Sequence, residues 1–464
     1  MFKKTVLLSS AVALIASTSP AAAEQMSMEA IQAQLAQLSS QVQNLSKVVE
    51  QQNETIKKQD AALQAQKQAS AEAIANIQPA AGGNVTGAKI TFKPSPKIES
   101  TDGKYSFQPF GRSHFDITNF DDSRSDQDSN TNLRRARLGF KGKIGGDLKY
   151  KAEVDFAEEG VALRDVHLTY SGLDAADIVL GNQKPKFGLQ QNTSSNYIQL
   201  IERSAPTNAF TRGHLLGGQA LAGGDNWSLA AGVFGEDAGN DDTGNDEDTS
   251  IDVRGSVNIL GLAGNNVGDS VLHLGAGYSH RRPTDSGARF RARPTGDGPR
   301  VVDTGTLADV DDINVYGLEL ASVLGPVSIA GEYFHADVAR DNAFSDAEFD
   351  GYYAQIGWFI TGEQRPYKGK SGNFGRVKPN NPFDIKNGGT GAVELVARYE
   401  NLDLNDAGAG VMGGELDSTT AGVNWHLTNN ARLMFNVIDV DTDSNAVVAN
   451  DDPTVYNVRA QWDF

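Results

Sequence analysis

The chain has 464 residues, no cysteine, and 59 acidic against 41 basic side chains, which gives a formal net charge of −18. The lack of cysteine excludes disulfides, thiol catalysis and thiolate metal sites. After residue 23 no run of about 18 apolar residues occurs, which excludes membrane-spanning helices. A transmembrane barrel is still possible, because its strands alternate apolar and polar side chains.

The first residues have the pattern of a secretory signal peptide. Two lysines form the basic start, residues 6–16 form the apolar core, and three alanines at 21–23 form the cleavage site. The apolar stretch is too short for a membrane anchor. We therefore expect removal of residues 1–23 and a mature chain that starts at Glu24.

Residues 24–78 contain a heptad repeat without Pro or Gly. One seam position consists of Met28, Leu35, Val42, Val49, Ile56, Leu63, Ser70 and Ile77, and the other of Ile31, Leu38, Leu45, Gln52, Gln59, Gln66 and Ala73. This pattern predicts an N-terminal α-helical coiled coil of about 75 Å. A single helix lying on the rest of the protein is the alternative. Residues 79–103 are predicted to be a linker.

From residue 104 to the end, apolar and polar side chains alternate with a period of two, which predicts β-strands. Sixteen such segments lie near 104–117, 132–144, 147–157, 161–170, 176–183, 213–222, 226–235, 249–260, 270–281, 312–323, 326–338, 350–362, 391–403, 416–427, 431–440 and 454–464. An even number suits a closed antiparallel barrel. The fold class is therefore an all-β transmembrane barrel of about sixteen antiparallel strands over 104–464.

The connections between these strands alternate between short and long, as in outer-membrane barrels with short periplasmic turns. The long, acidic connections are 118–131, 236–248, 282–311 and 441–453. Two other long connections differ from them. Residues 363–390 fall on the periplasmic side, and residues 184–212 form the third outward loop. The acidic loop residues are interpreted as solvated tips, with bridging of lipopolysaccharide by divalent cations as the alternative.

The last segment shows which face of the barrel meets lipid. Tyr456, Val458, Trp462 and Phe464 share one face, which suits lipid, and Arg459 lies on the other. The same alternation places basic side chains in the lumen, because a charge facing lipid costs about 2–4 kcal/mol at the bilayer midplane. These inward residues are Arg112, Arg135, Arg137, Lys141, Lys143, Lys149, Lys151, Arg254, Arg281, Arg398, Arg432 and Arg459. Carboxylates are predicted there too, at Glu153, Asp155, Asp165, Glu319, Glu332, Glu394 and Glu400.

Five stretches resemble the phosphate-selective porin O and P family. They are residues 134–140 (RRARLGF), 181–188 (GNQKPKFG), 193–210 (TSSNYIQLIERSAPTNAF), 357–366 (GWFITGEQRP) and 391–404 (GAVELVARYENLDL). The resemblance implies a homotrimer of sixteen-stranded barrels in which basic residues guide anions and the third loop narrows the pore. Lys184, Lys186, Arg203 and Arg212 lie in that loop.

The sequence thus predicts a passive, anion-preferring porin of the outer membrane, with phosphate or polyphosphate as the solute and the coiled coil in the periplasm. A general diffusion pore and a structural tether that reaches the cell wall through the coiled coil are the alternatives. The GxGxxG at 408–413 lies between two strands and lacks the helix that holds a pyrophosphate. We expect no enzymatic activity, cofactor, metal or nucleic-acid partner. Lipid, lipopolysaccharide and small anions are the expected partners.

Overall fold

The structure is a computed structural model. It describes residues 87–464 except 93, 122–128, 158–159, 239–247, 265–269, 285–286, 297 and 342–343, together with eleven scattered residues between 40 and 64. The chain divides into two units, residues 1–86 and residues 87–464. In the described part of the chain, no helix combines the length and the apolar character needed to cross a membrane.

Sixteen long strands form a closed antiparallel barrel. They are β3 (Ser106–Asp121), β4 (Asn130–Ile144), β5 (Leu148–Asp155), β6 (Ala162–Tyr170), β7 (Asp177–Gln183), β8 (Leu215–Gly224), β9 (Trp227–Phe234), β10 (Thr249–Asn258), β11 (Val271–Arg282), β14 (Val310–Leu324), β15 (Val327–Arg340), β16 (Ala347–Phe359), β19 (Ala392–Asp406), β20 (Val411–His426), β21 (Ala431–Thr442) and β22 (Thr454–Asp463). Each pairs with the next, and β22 pairs with β3. The prediction of sixteen antiparallel strands is confirmed.

The segment predicted as a linker contains a β-hairpin. Its strands, β1 (Ala88–Phe92) and β2 (Pro96–Ser100), pair with each other, and β2 also pairs with the start of β3. Alternation over five residues is too short to be distinguished from a loop by pattern alone. The hairpin extends the barrel sheet at the periplasmic end of β3.

The predicted coiled coil is not tested by the described residues. The eleven described residues between 40 and 64 are helical and exposed, and none of them occupies a predicted seam position. All seam residues, like the predicted signal peptide, lie outside the described residues.

The connections contain short helices and strand pairs. These are α1 (Leu189–Asn192), α2 (Ala205–Phe210), α3 (Ile259–Leu262), a 3₁₀ turn (Gly369–Ser371), and the pairs β12 (Arg291–Ala292) with β13 (Val302–Asp303) and β17 (Tyr367–Lys368) with β18 (Asn373–Phe374). Ser204 begins α2, and its hydroxyl accepts a hydrogen bond from the Thr207 amide at 3.2 Å, which satisfies one free donor of the helix start.

The two faces of the wall follow the predicted alternation. On β22 the side chains of Tyr456, Val458 and Trp462 are exposed on the outside, whereas Arg459 is fully buried on the inside. Phe464 continues the outer apolar face.

An apolar cluster fills one side of the lumen. Phe210 and Phe290, which come from two outward connections, pack on each other with ring centres 5.7 Å apart. Phe210 also packs on Phe334 of β15, and Phe290 packs on Phe349 of β16. All four rings are buried. The open part of the lumen is therefore displaced toward the opposite wall.

Candidate functional site

The long connection 184–212, here called the constriction loop, crosses the lumen to the far wall. At its start, Glu332 of β15 accepts hydrogen bonds from the amides of Leu189 and Gln190 at 2.6 and 2.9 Å. Further along, Asn436 of β21 accepts from the Ile201 amide at 2.8 Å. Gln199 donates to Glu394 of β19 at 2.6 Å. The loop is thus held at several points inside the barrel.

Glu202 anchors the constriction loop through contacts with three guanidinium groups. It accepts hydrogen bonds from Arg135 at 3.2 and 3.3 Å and from Arg459 at 2.9 Å, and Arg134 lies 3.1 Å away. Burial opposes ionisation of Glu202, but the three guanidinium groups together hold the pKa of its carboxyl well below the usual range. The loop is therefore tied to β4 and β22 through an ionised carboxylate.

The periplasmic connection between β16 and β19 also enters the lumen. Arg254 of β10 donates to the Gly372 carbonyl at 2.7 Å, and Asn373 donates to the Asn192 carbonyl of the constriction loop at 2.9 Å. Phe374 is buried in an apolar cluster that includes Leu189. This contact explains why the connection is long although it lies on the periplasmic side.

Between the constriction loop and strands β3–β8 lies an open cavity of about 700 Å³, here called the basic cavity. Ten basic side chains line it, namely Arg112, Arg134, Arg135, Arg137, Lys149, Lys151, Arg164, Lys184, Lys186 and Arg203. Four acidic side chains do so, namely Glu153, Asp165, Asp177 and Glu202. The lining thus has a formal surplus of six positive charges with its histidines neutral. This positive surplus contrasts with the net charge of −18 of the whole chain.

Some cations of the basic cavity are neutralised by neighbours on the wall. Arg112 donates to Glu153 at 2.9 Å, and Arg137 donates to Asp155 at 2.7 Å. Such pairs fix the side chains in place and leave less charge for a passing ion.

Three lysines are not neutralised in this way. No described carboxylate lies within 4.0 Å of the ammonium groups of Lys149, Lys184 or Lys186, and Lys184 donates to the Gln191 side chain at 3.3 Å. Burial, together with the nearby Arg203, lowers the pKa of Lys184 well below its usual value. Burial also lowers the pKa of Lys186. Among the described residues, neither ammonium group has a directly paired carboxylate, although Asp165 attracts both.

A second pocket of about 320 Å³ lies at the outer end and shares Asn208 and Thr211 with the basic cavity. Its lining includes six arginines, namely Arg212, Arg281, Arg282, Arg289, Arg291 and Arg300. Partial burial beside Arg291 and Arg293 lowers the pKa of Arg300 to about 10. A nitrogen of Arg212, Nη1, is buried and has no hydrogen-bond partner among the described residues. The two pockets therefore adjoin each other at these shared residues, and together they are here called the basic route.

The structure separates the sixteen predicted site residues into groups. Eight line the basic cavity, namely Arg112, Arg135, Arg137, Lys149, Lys151, Lys184, Lys186 and Arg203. Arg212 and Arg281 line the outer pocket. Lys141 and Lys143 lie near the periplasmic end of β4, where Lys141 lies 5.5 Å from the centre of the Phe110 ring.

Four predicted site residues occupy a different setting. Arg254, Arg398, Arg432 and Arg459 are buried and line neither pocket. Arg254 binds Glu319 with two hydrogen bonds, and Arg459 binds Asp116 with two of 2.6 Å each. Arg398 and Arg432 donate to constriction-loop carbonyls. Their inward direction was predicted, but the structure shows them fastening loops to the wall instead of lining the route.

Several residues of the route were missed in the sequence. A bulge between the pairs His114–Arg135 and Phe115–Leu133 inserts Arg134, so two consecutive arginines reach the lumen. Strict alternation had placed only Arg135 inside. Four arginines of the outer pocket, Arg282, Arg289, Arg291 and Arg300, were missed because they lie in the predicted connection 282–311, although the alternation of arginines at 289, 291 and 293 was a visible signal.

Comparison with known proteins agrees with this geometry. The model of the family "Phosphate-selective porin O and P" matches residues 107–464. Porin O of Pseudomonas aeruginosa is 30% identical over 443 residues, which cover 85% of this chain and 98% of that protein.

Solved structures show the same fold. That of a loop L8 deletion mutant of OmpT from Vibrio cholerae has 12% identity and a TM-score of 0.51, and the match covers 78% of this chain and 100% of that one. The channel DcaP of Acinetobacter baumannii has 12% identity, a TM-score of 0.50 and coverage of 79% and 99%. These two structures share the barrel fold. The chain therefore belongs to the phosphate-selective porin O and P family and forms a porin channel in the outer membrane.

Proposed function

We propose that this porin prefers anions and that phosphate is its principal solute. The observation that carries the proposal is the basic cavity, whose ten basic and four acidic side chains lie beside the loop that narrows the lumen. The description of the family as phosphate-selective supports the choice of phosphate. Polyphosphate has the same chemistry and would follow the same route.

The proposed mechanism is transfer between weak sites. An anion enters through the arginines of the outer pocket and passes Asn208 and Thr211, which both pockets share. It then meets Lys184 and Lys186, whose ammonium groups have no described carboxylate within 4.0 Å. Conduction requires binding that is strong enough for entry and weak enough for release, which several adjacent sites provide. The neutralised arginines on the wall keep any one site from trapping the ion.

A general diffusion pore is the second candidate. It is favoured by Glu153, Asp165 and Glu202, which line the same cavity and pair with Arg112, Lys151 and Arg135 respectively. These pairs reduce the net field that separates anions from cations. The two candidates differ in the strength of selectivity, which can be measured directly.

Planar-bilayer recording of the purified porin tests the proposal. We expect a reversal potential in a KCl gradient that indicates chloride over potassium, and a fall in chloride current as millimolar phosphate is added. Sulfate at the same ionic strength is the control for general anion block. Cation preference would overturn the proposal, and anion preference without a phosphate effect would favour the general pore.

We further propose that the porin is a homotrimer whose contacts lie along β5–β9. Strand β7 has seven residues and β5 and β9 have eight, whereas β14 has fifteen. A seven-residue strand tilted by about 40° spans about 18 Å, less than the hydrocarbon thickness of about 25 Å. A neighbouring copy would shield this short wall from lipid. Light scattering of the detergent-solubilised porin measures the number of copies, and a monomer would contradict the proposal.

The predicted coiled coil, in the periplasm, is part of the same proposal. The described residues between 40 and 64 are helical, and all of them are exposed and lie outside the predicted seam. This is the arrangement expected for the outer positions of a coiled coil. Removal of residues 24–78 should lower trimer stability to heat and leave single-channel conductance unchanged.

A further inference from the structure

The β1–β2 hairpin has one apolar face that is continuous with the outer face of the barrel. The strand register places Ile90 opposite Ile98, and Ile98 opposite Phe107 of β3. Residues opposite each other in a sheet point to the same side. Phe107 is on the outer face, where its ring stacks on Phe140 with 5.8 Å between ring centres. Ile90 and Ile98 therefore point outward as well.

The apolar side chains of the hairpin are exposed. Ile90 has 59% of its surface exposed, Phe92 72% and Ile98 45%. Phe92 lies opposite Pro96 and, two residues from Ile90, shares the outward face. Such exposure of three large apolar side chains in a row is unusual for a surface that meets only water.

The other face of the hairpin is charged. Lys89 lies opposite Glu99, and Lys97 donates a hydrogen bond of 2.7 Å to Glu99. Glu99 in turn lies opposite Ser106, which pairs with Lys143 on the inner side of β3 and β4. The hairpin thus has an apolar outer face and a polar inner face, like the wall above it.

The hairpin joins the barrel wall at its periplasmic end. The hairpin joins β3 at Ser106 and Phe107, the first residues of that strand. The neighbouring outer surface carries the aromatic group Phe107, Phe140 and Tyr150, with 5.8 and 6.1 Å between ring centres. Aromatic groups of this kind mark the boundary between hydrocarbon and headgroups.

We propose that the β1–β2 hairpin lies in the periplasmic leaflet of the outer membrane, with Ile90, Phe92 and Ile98 in contact with phospholipid acyl chains. The continuity of its outer face with the lipid-facing wall carries this inference, because the register keeps the side chains of Phe107, Ile98 and Ile90 on the same side of the sheet. The hairpin then anchors the start of the barrel in the bilayer at the point where the N-terminal segment leaves it.

The lack of native cysteine provides a direct test with the full chain in liposomes, because a single introduced thiol can be labelled specifically. A polarity-sensitive fluorophore is attached to Ile90→Cys and Ile98→Cys, and to Lys89→Cys and Lys97→Cys as controls on the opposite face. Leu318→Cys, at an exposed outer position of β14, is the reference for lipid contact. Channel conductance of each labelled variant verifies insertion.

We expect brominated phospholipids to quench the labels at 90 and 98 as strongly as the label at 318, and the labels at 89 and 97 weakly. Aqueous iodide should show the reverse order. Equal iodide quenching of both faces would overturn the proposal and place the hairpin in the periplasm. Protection of the outer face from both quenchers, with crosslinking between copies through 90, would also overturn it and assign the surface to a second copy.

Discussion

The substitution Glu202→Gln tests how the pore is shaped. It removes the charge that Arg134, Arg135 and Arg459 share, and all four side chains except Arg134 are nearly inaccessible to solvent. Loss of one partner of a buried ion pair costs about 3–5 kcal/mol. Arg459 keeps its two hydrogen bonds to Asp116, so we expect the lower value, about 3 kcal/mol. At 1.4 kcal/mol per factor of ten, release of the constriction loop should increase about 100-fold.

Trypsin cleavage after Arg203 measures this release, because cleavage of a transiently opened segment follows the population of its open form. Arg203 is buried in the closed loop. The cleavage rate at this bond, followed by mass spectrometry, should rise about 100-fold in Glu202→Gln. Glu348→Gln, an equal charge change at an exposed position, is the control. A rate unchanged in a correctly folded barrel would refute the view that Glu202 holds the loop.

Three further predictions concern the route and the lumen filling. Substitution of both Lys184 and Lys186 by Met should lower the anion-to-cation permeability ratio several-fold, whereas Lys386→Met in the exposed periplasmic connection should not. Equal effects would mean that selectivity depends on the total charge of the protein and not on the lysines of the basic cavity. Because the pKa of Lys184 is lowered, this group is charged at low pH and loses its charge as the pH rises, before the usual value of 10.5 is reached. Anion selectivity should therefore fall with rising pH in the wild type, and the fall should be smaller in Lys184→Met. Phe334→Ala should lower the free energy of unfolding by about 3–5 kcal/mol in a urea titration, since it leaves a cavity in the apolar cluster; Tyr333→Ala, on the outer face, is the matched control.

The wall of the barrel could be predicted from the sequence because lipid and lumen impose opposite requirements on neighbouring residues. That requirement acts on each residue separately, so alternation alone gave the sixteen strands and the inward direction of Arg137 and Arg459. The bulge at Arg134 was not predictable in this way, since one inserted residue changes the phase without a marker in the sequence.

The path of the loops inside the barrel could not be predicted. It depends on contacts between residues far apart in the chain, such as Arg432 with the Ile198 carbonyl and Asn373 with the Asn192 carbonyl. Every residue has a backbone carbonyl, so the sequence does not show which carbonyl an arginine will contact. An inward arginine that holds a loop therefore cannot be distinguished in the sequence from one that meets an ion. This is why Arg254, Arg398, Arg432 and Arg459 were grouped with the cavity residues.

The pair Arg459–Asp116 joins the last strand of the barrel to the first, and the same guanidinium group binds Glu202 and the Ile201 carbonyl at the tip of the constriction loop. The loop therefore gains this anchor only when the two ends of the sheet have met. Anchoring of this part of the constriction loop is therefore coupled to closure of the barrel seam, whereas the anchors on β15, β19 and β21 are not. A variant that weakens this junction would therefore loosen the seam and this anchor of the loop together.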